Sequence, residues 1–201
     1  DQSTDTCTNN FATLNSIDTF YVNAALSEGN CKYAGSAGNY DFVYSTIQAS
    51  QGKWYMEAKY TKGSNSNNGI IGITSKPMTD TANYLGKNAN EYGYIGNQGR
   101  TVTGGSFSTS GSYDTFTTGD IIGVYMDLDN NKLYWGKNGT VQDSGTGFDI
   151  TASGSTANGS YAFAVCNFDS GGSDQWQVNF GNPIFTGTDK SDANSYGSFE
   201  Y

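Results

Sequence analysis

Residues 119–139 constrain the fold of this chain more than any other stretch. Ile122, Val124, Met126 and Leu128 fall on alternate positions, so a strand over them has one apolar face. Asp127-Leu128-Asp129-Asn130-Asn131 then reads as a turn, because Asp and Asn side chains bond to their own local backbone. Leu133 and Trp135 resume the alternation, and Asn138-Gly139 is the dipeptide that a type I′ hairpin favours. Strand, tight turn, strand and second tight turn follow one another without a gap, which is the grammar of an antiparallel sheet.

The remainder of the chain has the same texture. Its 201 residues include 27 Gly but 2 Pro, with Asn, Ser and Thr crowded between apolar runs, as suits short strands joined by tight turns. Helix signal is nearly absent. Hydrophobic residues reach only 35%, yet 15 Tyr, 11 Phe and 3 Trp gather apolar surface into large rings. Burying one such ring contributes roughly 1.5–3 kcal/mol, so an aromatic core compensates for scarce Leu and Ile. The length fits a single all-β domain with decorated ends.

Further motifs appear in order along the chain. They are Gly52-Lys53-Trp54-Tyr55-Met56-Glu57, Gly69-Ile70-Ile71-Gly72-Ile73 and Tyr92-Gly93-Tyr94-Ile95-Gly96, with Asn179-Phe180-Gly181 before Pro183 and Phe185. Together with the central hairpin they resemble the SPRY domain family from about residue 25 to residue 185. The resemblance implies an all-β fold: an antiparallel two-sheet β-sandwich of the concanavalin-like jelly-roll type, almost without helix. It sets residues 1–20 as an extended lead-in, 21–186 as the sandwich, and 187–201 as a polar tail that continues or attaches elsewhere. Short strands are expected around Tyr21-Val22, Cys31-Lys32-Tyr33 and Asp41-Phe42-Val43-Tyr44. Parity places Trp54, Met56 and Ala58 on the core face of their strand, and Lys53, Tyr55, Glu57 and Lys59 on the other. Trp54 and Trp176 are expected in the core. Residues 97–118 are expected to form a variable loop surface.

Charge and residue types exclude several functions. A net charge of −9 with one Arg, Arg100, argues against binding nucleic acid or an anionic membrane through charge. No apolar run approaches the ~18 residues of a spanning helix. The chain shows no signal peptide, begins at Asp1 and stops in a strand-like segment at Tyr201, so a processed protein or a piece of a longer one is expected. With no His, neither a Ser-His-Asp nor a Cys-His arrangement can be assembled. The four Glu (Glu28, Glu57, Glu91 and Glu200) form none of the Glu-x-Asp-x-x-Glu pattern of sandwich glycosidases. An EF-hand reading of the loop at Asp127 fails, with Lys132 and Asn138 where Gly and Glu are required. Cys7, Cys31 and Cys166 match no zinc spacing. They allow either a Cys7–Cys31 disulfide with one free thiol or three thiols, and Cys166 reads as a small core residue. No catalysis, cofactor or metal is expected.

Binding is a different matter. Tyr84, Tyr92, Phe107 and Tyr113 are interleaved with Asn, Ser and Gly, the mixture of rigid rings and adaptable hydrogen bonds that binding loops use, and are the candidate ligand residues. Asn138-Gly139-Thr140 and Asn158-Gly159-Ser160 also fit the glycosylation sequon. The polar, charge-poor texture resembles SPRY- or concanavalin-like domains of tailed-bacteriophage virion proteins. That resemblance implies a non-enzymatic virion-surface protein, a capsid decoration or fibre domain, whose partners are other virion proteins, copies of itself and, by weak adhesion, host-surface glycans. The alternative is a soluble, secreted lectin-like or SPRY protein-recognition module.

Overall fold

In a computed structural model, residues 10–17, 24–36, 38, 40–62, 67–79, 83–109, 111–169, 173–181 and 184–185 are described. They form strands β1 (Ala25–Ser27), β2 (Lys32–Ala34), β3 (Asp41–Tyr44), β4 (Lys53–Lys62), β5 (Ile70–Thr74), β6 (Glu91–Ile95) and β7 (Arg100–Thr103). After these come β8 (Ser106–Phe107), β9 (Ile121–Asp127), β10 (Lys132–Lys137), β11 (Thr140–Val141), β12 (Phe148–Asp149), β13 (Ala162–Asn167) and β14 (Gln175–Asn179). Among the described residues helix is limited to two single-turn 3-10 segments, Asp143–Gly145 and Ser153–Ser155. Every strand pair is antiparallel. One sheet runs β1-β2-β14-β4-β9-β10-β11, with β12 also on β10, and the second runs β3-β13-β5-β6-β7-β8. The expected two-sheet sandwich is the observed fold.

The central hairpin forms as its alternation requires. Ile122, Val124, Met126, Leu128, Leu133 and Trp135 are all buried between the sheets. The acidic turn closes on itself, with Asn130 N and Nδ2 donating to Asp127 at 3.1 and 2.9 Å. Lys53 lies 3.2 Å from the same carboxylate, so Asp127 is used in the turn and its neighbour. Asn138 and Gly139 both have positive φ, 47° and 83°, as a type I′ turn demands. The Asn138 side chain adds a lock, accepting from Ile121 N at 2.9 Å and donating to Asp120 at 2.7 Å. Asn138→Ala loses both bonds and puts a Cβ-branched-free but left-handed-averse residue at positive φ, so urea unfolding is expected to show a loss of about 1–2 kcal/mol.

Three expectations about which residues are buried are corrected. Trp54 shares the parity of Met56 and Ala58 but is 47% exposed: it sits at the start of β4, ahead of the residues that pair with β14, and its indole N–H turns back to the Gln51 carbonyl at 2.8 Å. Glu57, expected outside, is fully buried, its carboxylate accepting from Tyr55 Oη and Asn179 Nδ2, each at 3.0 Å. Phe116, within the stretch expected as loop surface, is a core ring packed edge-on against Tyr60 and Tyr94. Trp176 and Trp135 are core residues, and their indole N–H groups donate to the Cys166 and Ile71 carbonyls. Cys31 and Cys166 are buried free thiols, whereas Cys7 and the expected strand at Tyr21-Val22 lie outside the described residues.

A second, smaller core covers the outer face of the β3-to-β8 sheet. Register aligns Phe42, Cys166, Ile70, Ile95 and Arg100 in one cross-strand row, and Tyr44, Ala164, Gly72, Gly93, Val102 and Phe107 in the next. Gly72 and Gly93 stand opposite each other, and a Cβ on Gly93 would meet Ile70, Val102 and the Leu85 carbonyl. That clearance lets Leu85 lie against the sheet, its N–H on Cys166 Sγ at 3.4 Å.

Candidate functional site

The site lies where the second core meets solvent, at the Asn167–Ile70–Arg100 end of that sheet. Four half-buried rings from separate segments touch one another there: Tyr40, Tyr84, Phe107 and Phe168. Tyr84 and Phe168 are 4.4 Å apart between centroids, Tyr40 and Phe168 4.9 Å, Phe107 and Phe168 5.9 Å, and Tyr84 and Phe107 6.0 Å. Phe107 is carried by β8 at the edge of the sheet, and Phe168 follows β13 directly. The Arg100 guanidinium lies 5.3 Å from the Phe107 ring centre, within cation–π range. Beside it runs a shallow groove of about 190 Å³ lined by Asn68, Ile95, Asn97, Gln98, Arg100, Phe107 and Phe168.

The surroundings hold these groups still. The 96–99 turn is tied down by Gly96 N to Gly69 O, Phe116 N to Gly96 O and Tyr113 N to Gly99 O. Behind Phe168 is a buried polar network. Phe168 N donates to Asp174 Oδ2 at 3.3 Å, Asp174 N donates to Asn167 Oδ1 at 3.0 Å, and Asn167 Nδ2 reaches Ser36 O at 3.1 Å. Tyr60 Oη donates to Asp174, and Tyr33 Oη to Asp41. Burial pushes the Tyr84 hydroxyl above its ordinary value, so it stays protonated as a hydrogen-bond donor at neutral pH. Apolar rings, neutral amides and one cation can bind and orient a partner.

Of the four ligand residues expected from sequence, the structure brings two together. Tyr84 and Phe107 belong to the ring cluster. Tyr92 is buried between the sheets, its hydroxyl accepting from Thr151 N at 2.9 Å. Tyr113 packs edge-on against Trp135 at 5.8 Å, and burial raises its hydroxyl to about 12. Tyr40, Phe168, Arg100 and Asn97 were not anticipated. The available signal was weak: Phe168 directly follows an apolar strand, and Arg100 is the single arginine.

The family model of the SPRY domain matches residues 53–182. This chain belongs to the SPRY domain family. It is 34% identical over 131 residues to Ran-binding protein 10 of Danio rerio, covering 59% of this chain and 20% of that protein. The Ran-binding proteins 9/10 homolog of Drosophila melanogaster is 37% identical over 98 residues, covering 46% of this chain and 10% of that protein. Ran-binding protein 9 of Homo sapiens gives 37% over 98 residues, with coverages of 46% and 12%. The chain thus spans a fifth or less of these relatives. The SPRY domain of human HERC1 superposes with a TM-score of 0.60 at 16% identity, covering 77% of this chain and 91% of that one. A second human SPRY domain gives 0.55 at 13%, covering 79% and 95%. At such identities the two structures speak for the fold alone.

These relatives overturn the bacteriophage reading. They are animal proteins named for binding Ran, so this SPRY chain is no capsid decoration or fibre domain. The virion proteins, self-assembled virion copies and host glycans expected as partners fall with that reading. So does the virion-surface location. The physical reason for the error is that a polar, charge-poor, Gly-rich surface reports turn density and solvation, and many unrelated β-sandwiches share it.

Proposed function

We propose that this SPRY domain is a non-catalytic protein-recognition module that engages its partner through the Tyr40–Tyr84–Phe107–Phe168 rings and the groove beside Arg100. The recognition unit is residues 21–186, flanked by segments 1–20 and 187–201. The observation that carries the proposal is the ring cluster itself: four half-exposed aromatics from four separate segments in mutual contact. Exposed aromatic clusters rimmed by polar groups favour protein contacts, and aromatics with Arg dominate the energy of such interfaces. Rings fixed against a sheet also lose little conformational freedom on binding. Relatives named for binding Ran make Ran the first folded protein to test.

The test begins with peptides selected from a random display library on the wild-type domain. Synthesised binders are titrated against Phe107→Ala/Phe168→Ala and against Trp54→Ala. Loss of the two rings is expected to weaken binding by roughly 30-fold or more, the scale of an interface hot spot. Trp54 lies at the far end of the sandwich, and its replacement is expected to leave affinity unchanged. Affinity that survives the double substitution would place the recognition surface elsewhere.

A further inference from the structure

We propose that the groove beside Arg100 takes an extended peptide segment presenting one carboxylate to the guanidinium and an adjacent apolar side chain to Phe107 and Phe168. The proposal rests on the recognition role given above and names the chemistry of the partner. Arg100 is the single arginine of a chain with net charge −9. Among the described residues its guanidinium has no ion pair and no hydrogen bond, and the contact it makes is with the Phe107 ring. A planar guanidinium braced on an aromatic face keeps its N–H donors free, and their fork geometry matches a carboxylate in a bidentate pair.

A second polar group in the same wall points the same way. Asn97 Oδ1 is shielded from solvent and has no hydrogen-bond partner among the described residues. An acceptor with no partner among the described residues is unusual in a folded protein, and a turn of the half-exposed Asn97 side chain toward the groove lets a donor arriving with the ligand satisfy it. A peptide backbone N–H is such a donor, which favours a main chain lying in the groove over a free acid. Ile95 and Phe168 supply the apolar wall, and the Gln98 and Asn68 amides supply further neutral hydrogen-bonding groups.

The charge of the domain limits the acid to one. A field of −9 repels a polyacidic partner at long range, whereas a contact pair on the half-buried guanidinium is felt locally. The peptide therefore carries a single Asp or Glu beside an aliphatic or aromatic residue, in otherwise neutral or basic surroundings. Raising salt screens the long-range repulsion more than the contact pair. Binding is accordingly expected to change little between low and physiological salt, whereas a polyacidic partner repelled by the domain would bind more tightly as salt rises.

The peptides selected on the wild-type domain decide the matter. They are expected to share an Asp or Glu at a fixed distance from a large apolar residue. By calorimetric titration, Arg100→Gln is expected to weaken them by roughly 10- to 100-fold, the worth of a hydrogen-bonded charge pair, and Arg100→Lys by less. Changing the peptide acid to its amide should cause a similar loss on the wild-type domain and little further loss on Arg100→Gln, because the two changes remove one interaction. Arg100 has no hydrogen bond or ion pair among the described residues, so the urea midpoint of Arg100→Gln should lie close to wild type, lowered at most by the loss of one cation–π contact. Peptides that lose affinity in Phe107→Ala/Phe168→Ala but carry no acid and tolerate Arg100→Gln would overturn the carboxylate and leave the recognition role standing. Peptides indifferent to both sets of substitutions, or a library yielding no binder at all, would overturn both.

Discussion

Trp135→Ala is expected to lower the unfolding free energy by about 4 kcal/mol, within the range for deleting a buried indole. Trp135 is almost wholly buried on β10, with Tyr113 edge-on at 5.8 Å and Tyr94 and Phe148 each at 6.2 Å. Its N–H also donates to the Ile71 carbonyl at 3.1 Å, a bond between the two sheets. Removing the ring opens a cavity at the contact between the sheets and leaves that carbonyl without its donor. Domains of this kind have total stabilities of about 5–15 kcal/mol, so the variant should populate unfolded chains near body temperature. Urea denaturation should show the midpoint falling with the slope unchanged, since the folded state keeps its topology. A loss below about 1.5 kcal/mol would mean that the indole is not packed as the ring geometry indicates.

The same hairpin shows what a sequence of this kind reveals. Strand alternation through Ile122–Leu128, the Asp127 turn and Asn138-Gly139 are local signals, written within a few residues and decided by backbone chemistry. They are therefore legible without knowledge of the partner sheet. Parity told which face Trp54 occupies, but which neighbouring strand reaches it is a long-range fact, and β14 pairs with β4 only from Glu57 onward. Glu57 was hidden for a related reason. Its burial comes from Tyr55, two residues away, and from Asn179, 122 residues away. The candidate site was half legible. Tyr84 and Phe107 stand in the binding-loop texture that singled them out, while Tyr92 shares that texture but sits on β6 between two buried faces. Tyr40 and Phe168 carry no local mark, because the register of β3 against β13 is what brings their segments together. Function was the least legible, since surface composition responds to solubility and turn density more than to what a groove binds.

Asp41→Asn is expected to change the pH dependence of stability more than any other single substitution at the site. Asp41 is 1% exposed, and burial pushes its carboxyl up to about 6; the Tyr33 hydroxyl and Ser36 amide oppose the rise, and Asp174 adds to it. One carboxylate oxygen, Oδ2, is buried without a hydrogen-bond partner among the described residues. Below pH 3.8 the group is protonated in both folded and unfolded chains and contributes no penalty. Between 3.8 and about 6 the unfolded chain ionises first, so this group withdraws stability as pH rises, by about 3 kcal/mol in all. Above about 6 the penalty is complete. Asn keeps an oxygen for the Tyr33 hydroxyl and cannot ionise, so its advantage over wild type should grow across that window and then level off. Chemical denaturation from pH 3.5 to 7.5 checks this, and parallel curves for the two proteins would show that Asp41 titrates at its ordinary value. The effect should reach the binding surface, because Tyr40 adjoins Asp41 in the chain and the Phe168 amide rests on Asp174. Holding the Asp41 carboxylate, whose charged form burial disfavours, beneath those rings therefore makes the adjoining ends of β3 and β13 the segments most easily loosened as pH rises, and the protection of the Phe168 amide, taken relative to the intrinsic exchange rate at each pH, should fall over that window in wild type but not in Asp41→Asn.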